Sequence, residues 1–396
     1  MWFYGASNIQ QLGQQHMLGG DSTPQEDVPE GKVEQRIWQT SSIYPNTTRD
    51  YWVYVPAQYD ASEPACVMVF QDGEAYVHAE GQVRATIVLD NLIHKGEMPV
   101  TIGIFVSPGM IGEESNRAVE YVDRGKVYAR FLMEEIIPEV SKDYSLVDDR
   151  AGWSICGMSD GGLCSFAVAW QRNDVFSKSV CHIASFARHV EGGDFAHLVR
   201  QTRNDPKPLR VFLADGENDL NLDQGNWTLG NINLASALQF AKYDYRLEMG
   251  PGGHDLAHGG ELFPETLRWI WRDYPGVKTL PAAHDEVLGQ WNMVTNLFGH
   301  KLNSVLSVTR DGDALCATLH DEKDGELEVT DITFDAGTLT YRYIPPTSQT
   351  NWGKGTTSSM IALLRVKDGT ITGTLSGLSD GETSYDYALT GERTSS

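Results

Sequence analysis

The sequence has few cysteines, and their spacing offers no framework. Five occur in 396 residues, an odd number without any C-x-x-C pair. A disulfide framework uses an even number, and a zinc knuckle needs closely spaced pairs. We therefore expect neither, and we interpret the cysteines as small core residues because most stand inside apolar runs. They are Cys66, Cys156, Cys164, Cys181 and Cys316.

Long apolar runs and a recognisable leader are also missing. Residues 65–70 form one of the longest apolar runs, far short of the roughly 20 residues that a membrane span needs. The first residues lack the basic and apolar stretches of a signal peptide. We expect no membrane span, and either an internal protein or one whose leader has been removed. The acidic composition slightly favours an extracytoplasmic location, periplasmic or secreted.

Basic residues are scarce relative to acidic ones. Lys and Arg total 31, Asp and Glu total 54, and the formal net charge is −23. A surface that follows nucleic-acid phosphates or anionic lipids needs an excess of positive charge. We therefore expect no nucleic-acid partner; a small-molecule or carbohydrate ester is expected instead, from the site residues described below.

Turn signals and hydrophobic periodicity divide the chain into three parts. Residues 1–30 are polar and lack a period, which is typical of an extended N-terminal arm. Residues 31–278 alternate β-branched runs with amphipathic stretches, whereas residues 283–396 show strand patterns between recurrent turn signals. We place the boundary near residue 280, where proline and glycine punctuate a linker.

The middle part has the pattern of an α/β fold. Strands that are continuous apolar runs, separated by amphipathic helices, indicate a mostly parallel sheet covered on both faces. The predicted strands are residues 51–55, 65–70, 100–106, 152–156, 179–183 and 210–213, and the helical stripes fall at 128–136, 163–170, 234–241 and 262–273.

The C-terminal part has an all-β pattern. Alternating segments between turns predict about eight antiparallel strands, which is enough for a small barrel or sandwich. The sequence pattern leaves both architectures open.

A G-x-S-x-G segment from Gly157 to Gly161 follows an apolar strand and precedes an amphipathic helix. This is the context of a nucleophile elbow, in which the serine occupies a strained strand-to-helix turn. The sequence therefore predicts Ser159 as a catalytic nucleophile.

A serine nucleophile needs a histidine base and an acid, which follow it in the chain order Ser, Asp or Glu, His in this fold. His254 comes after a glycine-rich loop and is the preferred base over His258. Asp219 is the preferred acid, with Asp215 as its competitor. The two histidines lack the Glu of the H-E-x-x-H motif, so we expect no metal, and no cofactor is predicted.

The oxyanion hole of such a site combines two backbone N–H groups. The first would come from Asp160, the residue after the nucleophile, and the second from Gly73 or Glu74, after the strand that ends near Phe70. The carboxylate of Asp160 is unexpected there, because it opposes an oxyanion unless its side chain is paired elsewhere.

Four side chains are candidates for contact with substrate. Tyr76, Trp227 and His182 stand in loops that the fold places near the nucleophile, and aromatic walls suit a sugar face or a phenyl ring. Arg117 either clamps a polar substrate group or forms an ion pair with Glu120.

Several sequence blocks resemble the putative-esterase branch of the α/β-hydrolases, the group around enterochelin esterases, esterase D and feruloyl or acetyl-xylan esterases. The blocks are Arg49–Pro56, Val69–Gly73, Asn116-Arg117 with Glu120-Tyr121, Phe131–Pro138, Gly157–Gly162, Asp215–Asp219, and Gly252–His254 with His258-Gly259. The resemblance implies an α/β-hydrolase sandwich with Ser159, Asp219 and His254 as the triad. The residue after the nucleophile is usually small in that branch, so Asp160 departs from the pattern.

We expect a serine esterase acting on short-chain or aryl esters of carbohydrates, such as acetyl or feruloyl esters. A lactonase, a siderophore-ester hydrolase or a peptidase with the same triad is the alternative, and a catalytically silent ligand-binding protein is the non-enzymatic one. In the C-terminal part, Gly289, Trp291 and Arg393 weakly resemble the lipocalin-type barrel, where a tryptophan near the start packs on an arginine near the end.

Overall fold

The structure is a computed structural model with two compact units, divided between Lys278 and Thr279. It describes residues 18–188, 193–250, 252–278, 286–297, 300–311, 314–322, 325–335, 338–345, 357–367, 369–379 and 382–394. Residues 1–17 of the predicted arm, and several of the predicted turns in the C-terminal part, lie outside the described residues.

The first unit contains twelve described strands and nine described α-helices. The strands are β1 (Lys32–Trp38), β2 (Arg49–Val55), β3 (Cys66–Gln71), β4 (Thr101–Val106), β5 (Met110–Ile111), β6 (Glu114–Ser115), β7 (Trp153–Met158), β8 (Lys178–His182), β9 (Arg210–Gly216), β10 (Asn221–Leu222), β11 (Gly225–Asn226) and β12 (Asp244–Gly250). The helices are α1 (Gly73–Val77), α2 (Ala85–Lys95), α3 (Arg117–Tyr121), α4 (Lys126–Phe131), α5 (Ile137–Val140), α6 (Asp160–Gln171), α7 (Asp194–Gln201), α8 (Trp227–Phe240) and α9 (Ala257–Trp271).

Eight of these strands form one sheet, in the order β1-β2-β4-β3-β7-β8-β9-β12. The pairs β1–β2 and β2–β4 are antiparallel, and the remaining pairs are parallel. Strands β3 and β4 are buried along their whole length, whereas β1 is largely exposed at the edge. Continuous apolar runs therefore form the centre of the sheet, as expected for strands covered on both faces. The predicted α/β-hydrolase class is confirmed.

Two details differ from the sequence prediction. The helix predicted over 128–136 is interrupted, because a π-helical turn, Leu132–Ile136, separates α4 from α5. The described part of the predicted arm is held against helices: Asn91 Nδ2 on α2 donates to Asp21 O at 2.8 Å, and Arg268 Nη2 on α9 donates to Asp21 Oδ2 at 2.6 Å. No helix in the described ranges has both the length and the apolar character to cross a membrane.

The second unit is a closed barrel of eight antiparallel strands in chain order, so the barrel and not the sandwich is correct. Strand β13 pairs with both β14 and β20, which closes the barrel. Trp291 is fully buried, donates its Nε1–H to Val287 O at 2.8 Å, and lies 5.4 Å from the Arg393 guanidinium. The strands are β13 (Gly289–Leu297), β14 (His300–Asp311), β15 (Ala314–Asp321), β16 (Gly325–Asp335), β17 (Thr338–Tyr343), β18 (Thr357–Lys367), β19 (Thr370–Ser379) and β20 (Glu382–Arg393).

Candidate active site

Ser159 occupies a strained turn between β7 and α6. Its φ of 54° and ψ of −123° lie outside the regions that side-chain-bearing residues ordinarily adopt. Two backbone hydrogen bonds hold the turn, from Ser159 N–H to His182 O at 2.9 Å and from Ser185 N–H to Ser159 O at 3.1 Å. Such strain persists only where the surrounding structure imposes it, and it raises the hydroxyl above the carboxyl ends of the strands.

The two glycines of the motif allow the close packing of this turn. A Cβ on Gly157 would lie 2.3 Å from Gly161 O, and a Cβ on Gly161 would lie 2.5 Å from Asp72 Oδ2. Neither position has room for a side chain. The second distance also shows that the turn after β3 lies directly beside the start of α6.

The structure brings Ser159, His254 and Asp219 together in one array. His254 Nε2 lies 2.9 Å from Ser159 Oγ, and His254 Nδ1 lies 2.5 Å from Asp219 Oδ1. The Asp219 side chain is fully buried, whereas the His254 side chain is 22% exposed. A hydroxyl, an imidazole and a buried carboxylate in this order can move a proton off the hydroxyl. His258 lies elsewhere, with its ring against Gly250.

The loops that carry the acid and the histidine are joined by backbone contacts. Glu217 N–H donates to Gly250 O at 2.7 Å, and Asn218 N–H donates to Gly252 O at 3.1 Å. Both loops follow neighbouring parallel strands, β9 and β12. The sheet therefore fixes the distance between acid and base.

Asp215, the competing acid, does not contact His254 in the described hydrogen bonds. It is fully buried at the end of β9, where it accepts from its neighbour Gly216 N–H and from Asn231 Nδ2, both at 2.8 Å. Burial, together with the adjacent Asp219 carboxylate, raises the pKa of Asp215 to about 9.

The turn after β3 places Gly73 and Glu74 at the start of α1, where the N–H groups have no intrahelical acceptor. The preceding residue, Asp72, has a left-handed backbone, with φ of 53° and ψ of 46°. Its own N–H is already donated to Tyr121 Oη at 3.0 Å. Gly73 and Glu74 therefore remain the predicted sources of the second oxyanion donor.

The predicted ion pair between Arg117 and Glu120 is wrong. Arg117 instead forms a two-point contact with Asp72, with Nε to Oδ1 at 2.7 Å and Nη2 to Oδ2 at 2.8 Å. Glu120 is fully buried against Arg49, at 2.7 and 2.9 Å. Arg117 and Glu120 are close in sequence, but both side chains find tertiary partners. Burial raises the pKa of Asp72, and Arg117 offsets part of that shift.

The carboxylate of Asp160, unexpected beside an oxyanion hole, is paired. Arg188 Nη1 donates to its two oxygens at 3.1 and 2.9 Å, and Arg117 Nη1 lies 3.5 Å from Oδ2. Two guanidinium groups therefore compensate its charge. The carboxylate then opposes an oxyanion at the Asp160 N–H less strongly. Arg117 Nη2 also reaches Met158 O at 3.3 Å, so it joins the nucleophile turn to the Asp72 turn.

The predictions for Tyr76 and His182 need correction. Tyr76 is fully buried and His182 is 1% exposed, and the Tyr76 hydroxyl lies 3.1 Å from His182 Nδ1. Neither side chain can contact substrate in this conformation, because both lie in the core behind the site. Burial lowers the pKa of His182 to about 3, which keeps the imidazole neutral.

Trp227 lies beside the array but is nearly buried. Its ring meets the His254 ring edge-on, with centroids 6.2 Å apart, and its Nε1–H donates to Ser185 Oγ at 3.1 Å. Ser185 Oγ in turn lies 3.5 Å from Ser159 Oγ. Ser185 and Arg188 were not among the predicted site residues. Their position directly after the buried strand β8 was the available signal, because sites on open α/β sheets gather at strand ends.

Among the described residues, no group of three or more His, Cys, Asp or Glu side chains has the arrangement of a metal site.

The fold and the serine turn define the α/β-hydrolase class. Residues 42–270 match the family described as Putative esterase, and the chain belongs to that family.

Solved structures share this fold at low sequence identity. The enterobactin esterase of Shigella flexneri, solved in the presence of enterobactin, is 18% identical with a TM-score of 0.52, over 63% of this chain and 61% of that one. A ferulic acid esterase is 20% identical with a TM-score of 0.51, over 61% of this chain and 98% of that one. The ferulic acid esterase of the anaerobic fungus Anaeromyces mucronatus is 17% identical with a TM-score of 0.51, over 67% and 98% of the two chains. The matched region thus spans about three fifths of the enterobactin esterase and nearly all of the ferulic acid esterases.

Proposed function

We propose that this chain is a serine carboxylic-ester hydrolase that acts through an acyl-enzyme. Ser159 Oγ attacks the ester carbonyl carbon while His254 Nε2 takes the hydroxyl proton, and Asp219 orients His254 and stabilises its protonated form. His254 then gives that proton to the departing alcohol, and water releases the acid by the same steps. The observation that carries this proposal is the 2.9 Å contact between His254 Nε2 and Ser159 Oγ at a strained turn.

In this proposal the oxyanion of the tetrahedral intermediate accepts two backbone hydrogen bonds. One comes from Asp160 N–H and the other from Gly73 or Glu74 N–H. The proximity of Asp72 to Gly161 supports the pairing of these two turns. The side chains of Arg117 and Arg188 keep the Asp160 carboxylate compensated.

The substrate class that we propose is a short-chain or aryl ester of a carbohydrate. The similarity to ferulic acid esterases supports an aryl ester. The similarity to enterobactin esterases makes a siderophore ester the second candidate.

The nucleophile is tested by replacing Ser159 with alanine. We expect kcat for a short p-nitrophenyl ester to fall by roughly 10⁶, and labelling by a fluorophosphonate to disappear, because the attacking oxygen is gone. The exposed Ser62 provides the matched control, and Ser62→Ala should leave both unchanged. Activity of Ser159→Ala close to that of the wild type would remove Ser159 from the mechanism.

The substrate class is tested by comparing kcat/KM for acetyl, butyryl, feruloyl and palmitoyl esters. We expect the highest value at the acetyl or feruloyl ester. A maximum at the palmitoyl ester would refute the proposed class, and cleavage of a siderophore ester in preference to all four would favour the second candidate. Cleavage of a lactone or a peptide alone would identify a different hydrolase with the same array.

A further inference from the structure

The two oxygens of the Asp219 carboxylate have different surroundings. Oδ1 faces His254 Nδ1 at 2.5 Å and accepts the Leu220 N–H at 2.5 Å. Oδ2 is buried and receives no N–H group or hydroxyl group of the described residues. A buried carboxylate oxygen without a hydrogen-bond donor destabilises the folded state, so we expect a donor among its neighbours.

The group next to this carboxylate is another carboxyl group. Asp215 is fully buried at the end of β9, and the interaction of its carboxyl group with that of Asp219, together with burial, raises the pKa of Asp215. Two carboxyl groups in contact and away from water cannot both be ionised. The pair therefore holds one proton at neutral pH.

The two carboxyl groups differ in the partners they already have. Asp219 directs Oδ1 at the His254 ring and the Leu220 N–H, so Oδ2 is the oxygen left for Asp215. Asp215 accepts from Gly216 N–H and Asn231 Nδ2, which leaves its carboxyl group still able to donate one bond. Burial and the adjacent Asp219 carboxylate raise the pKa of Asp215 by more than these two bonds lower it, which places the proton on Asp215.

We propose that Asp215 is a positioning residue that stays protonated and donates a hydrogen bond to Asp219 Oδ2, so that Asp219 Oδ1 stays aimed at His254 Nδ1. This inference rests on the proposed esterase function and adds a member to the hydrogen-bonded chain that ends at Ser159. In the hydrogen bonds of the described residues Asp215 contacts Gly216 and Asn231 and not Ser159, so its role is exerted through Asp219.

The proposal predicts a loss of activity at alkaline pH. When Asp215 ionises, with a pKa of about 9, the donated bond is lost and a second negative charge appears against Asp219. Among the described residues, the charged group that acts on Asp215 is the Asp219 carboxylate, which in turn faces His254. Helix α8 contributes the neutral Asn231, and β12 pairs the neutral Met249 opposite Asp215. Repulsion then turns the Asp219 carboxylate, and the proton-accepting array is disturbed.

Asp215→Asn and Asp215→Ala separate the donated bond from the ionisation. The asparagine amide donates a hydrogen bond and cannot ionise, but its nitrogen gives up one of the two bonds that Asp215 accepts. We therefore expect Asp215→Asn to keep more of the wild-type kcat at neutral pH than Asp215→Ala, and to lose the fall in kcat/KM above about pH 9. Asp215→Ala removes the donor, so we expect a drop in kcat of at least tenfold at every pH, with KM unchanged. Unfolding midpoints of all three proteins establish that the variants are folded under the assay conditions.

Asp90→Asn is the matched control. Asp90 on α2 is another buried aspartate with a raised pKa, and it accepts from Tyr54 Oη at 2.7 Å and from Gly31 N–H at 2.8 Å. We expect Asp90→Asn to keep the wild-type decline above pH 9. An unchanged decline in Asp215→Asn, or full kcat in folded Asp215→Ala, would overturn the proposal.

The rate of fluorophosphonate labelling of Ser159, measured over the same pH range, gives a readout that needs no knowledge of the natural ester. Absence of labelling in the wild type contradicts the proposed function itself. Labelling whose alkaline decline persists in Asp215→Asn contradicts the role of Asp215 alone.

Discussion

Asp219 controls the ring of His254 through one short contact. The carboxylate faces Nδ1 at 2.5 Å, which selects the tautomer whose Nε2 accepts the Ser159 proton. We expect Asp219→Asn to lower kcat by about 10⁴, because the amide favours the wrong tautomer. Steady-state kinetics on a small aryl ester measures the effect.

Asp223→Asn is the control for this change, because Asp223 is exposed on the same loop region and its replacement should leave kcat unaltered. Asp215→Asn should cost far less than Asp219→Asn. The reverse order would transfer the role of the acid to Asp215.

For single residues, the sequence can predict which side chains the fold brings together. A Cβ at either glycine of the Ser159 motif would lie 2.3 or 2.5 Å from another atom. Only glycine fits at these positions, so the motif can be recognised in the sequence. The chain order of the fold then selects a small set of downstream candidates for base and acid, among which His254 and Asp219 could be preferred.

The same reasoning fails for side chains whose direction depends on packing. Tyr76 follows the turn after β3, yet its ring lies fully in the core, and His182 at the end of β8 lies against it. A loop position does not say whether a side chain points towards solvent or into the core. The predicted ion pair of Arg117 was wrong for a related reason, since its partner Asp72 is distant in sequence.

At the scale of elements, a buried ion pair joins β2 to α3. Arg49 and Glu120 are both fully buried, their two hydrogen bonds are 2.7 and 2.9 Å long, and the guanidinium lies 4.1 Å from the Phe131 ring centroid. Asn116 Nδ2 adds a bond to Glu120 Oε1 at 2.9 Å. Because α3 also carries Arg117, this pair holds the segment that reaches the nucleophile turn.

We expect Glu120→Gln to destabilise the protein by about 3–5 kcal/mol, because it leaves the Arg49 charge buried and uncompensated. Urea unfolding followed by tryptophan fluorescence measures the change. The double variant Arg49→Met with Glu120→Gln should recover part of the loss, since the unpaired charge is then removed.

The exposed pair of Arg130 and Glu134 on the helical segment after α3 gives the comparison. Glu134→Gln removes an equivalent contact in solvent and should change stability little. A similar loss of unfolding free energy in Glu134→Gln and Glu120→Gln would show that burial does not increase the contribution of the Arg49–Glu120 pair to stability.

At the scale of the whole molecule, each unit has its own apolar core. The core of the first unit includes residues from the sheet and from α4, α6 and α8, while that of the second consists of inward-facing barrel residues around Trp291. The periodicity of the sequence could predict both classes, because continuous apolar runs and alternating strands differ in pattern. Whether the alternating strands close into a barrel could not be predicted, because closure depends on the pairing of β13 with β20, distant in sequence.

These separate cores lead to a prediction about a chain that ends at Lys278. Ser159, Asp219 and His254 all lie in the first unit, and Lys278 N–H donates to Gly96 O at 2.7 Å, which fastens the end of that unit to α2. We expect the shortened chain to fold cooperatively and to hydrolyse a small aryl ester with kcat/KM close to that of the full chain.

A chain ending at Arg272 should have a lower Tm, because it also lacks Asp273, whose carboxylate pairs with Arg210 at 2.6 and 2.7 Å. Differential scanning calorimetry and steady-state kinetics on the two shortened chains measure both effects, and an inactive or aggregated chain ending at Lys278 would show that the site depends on the barrel.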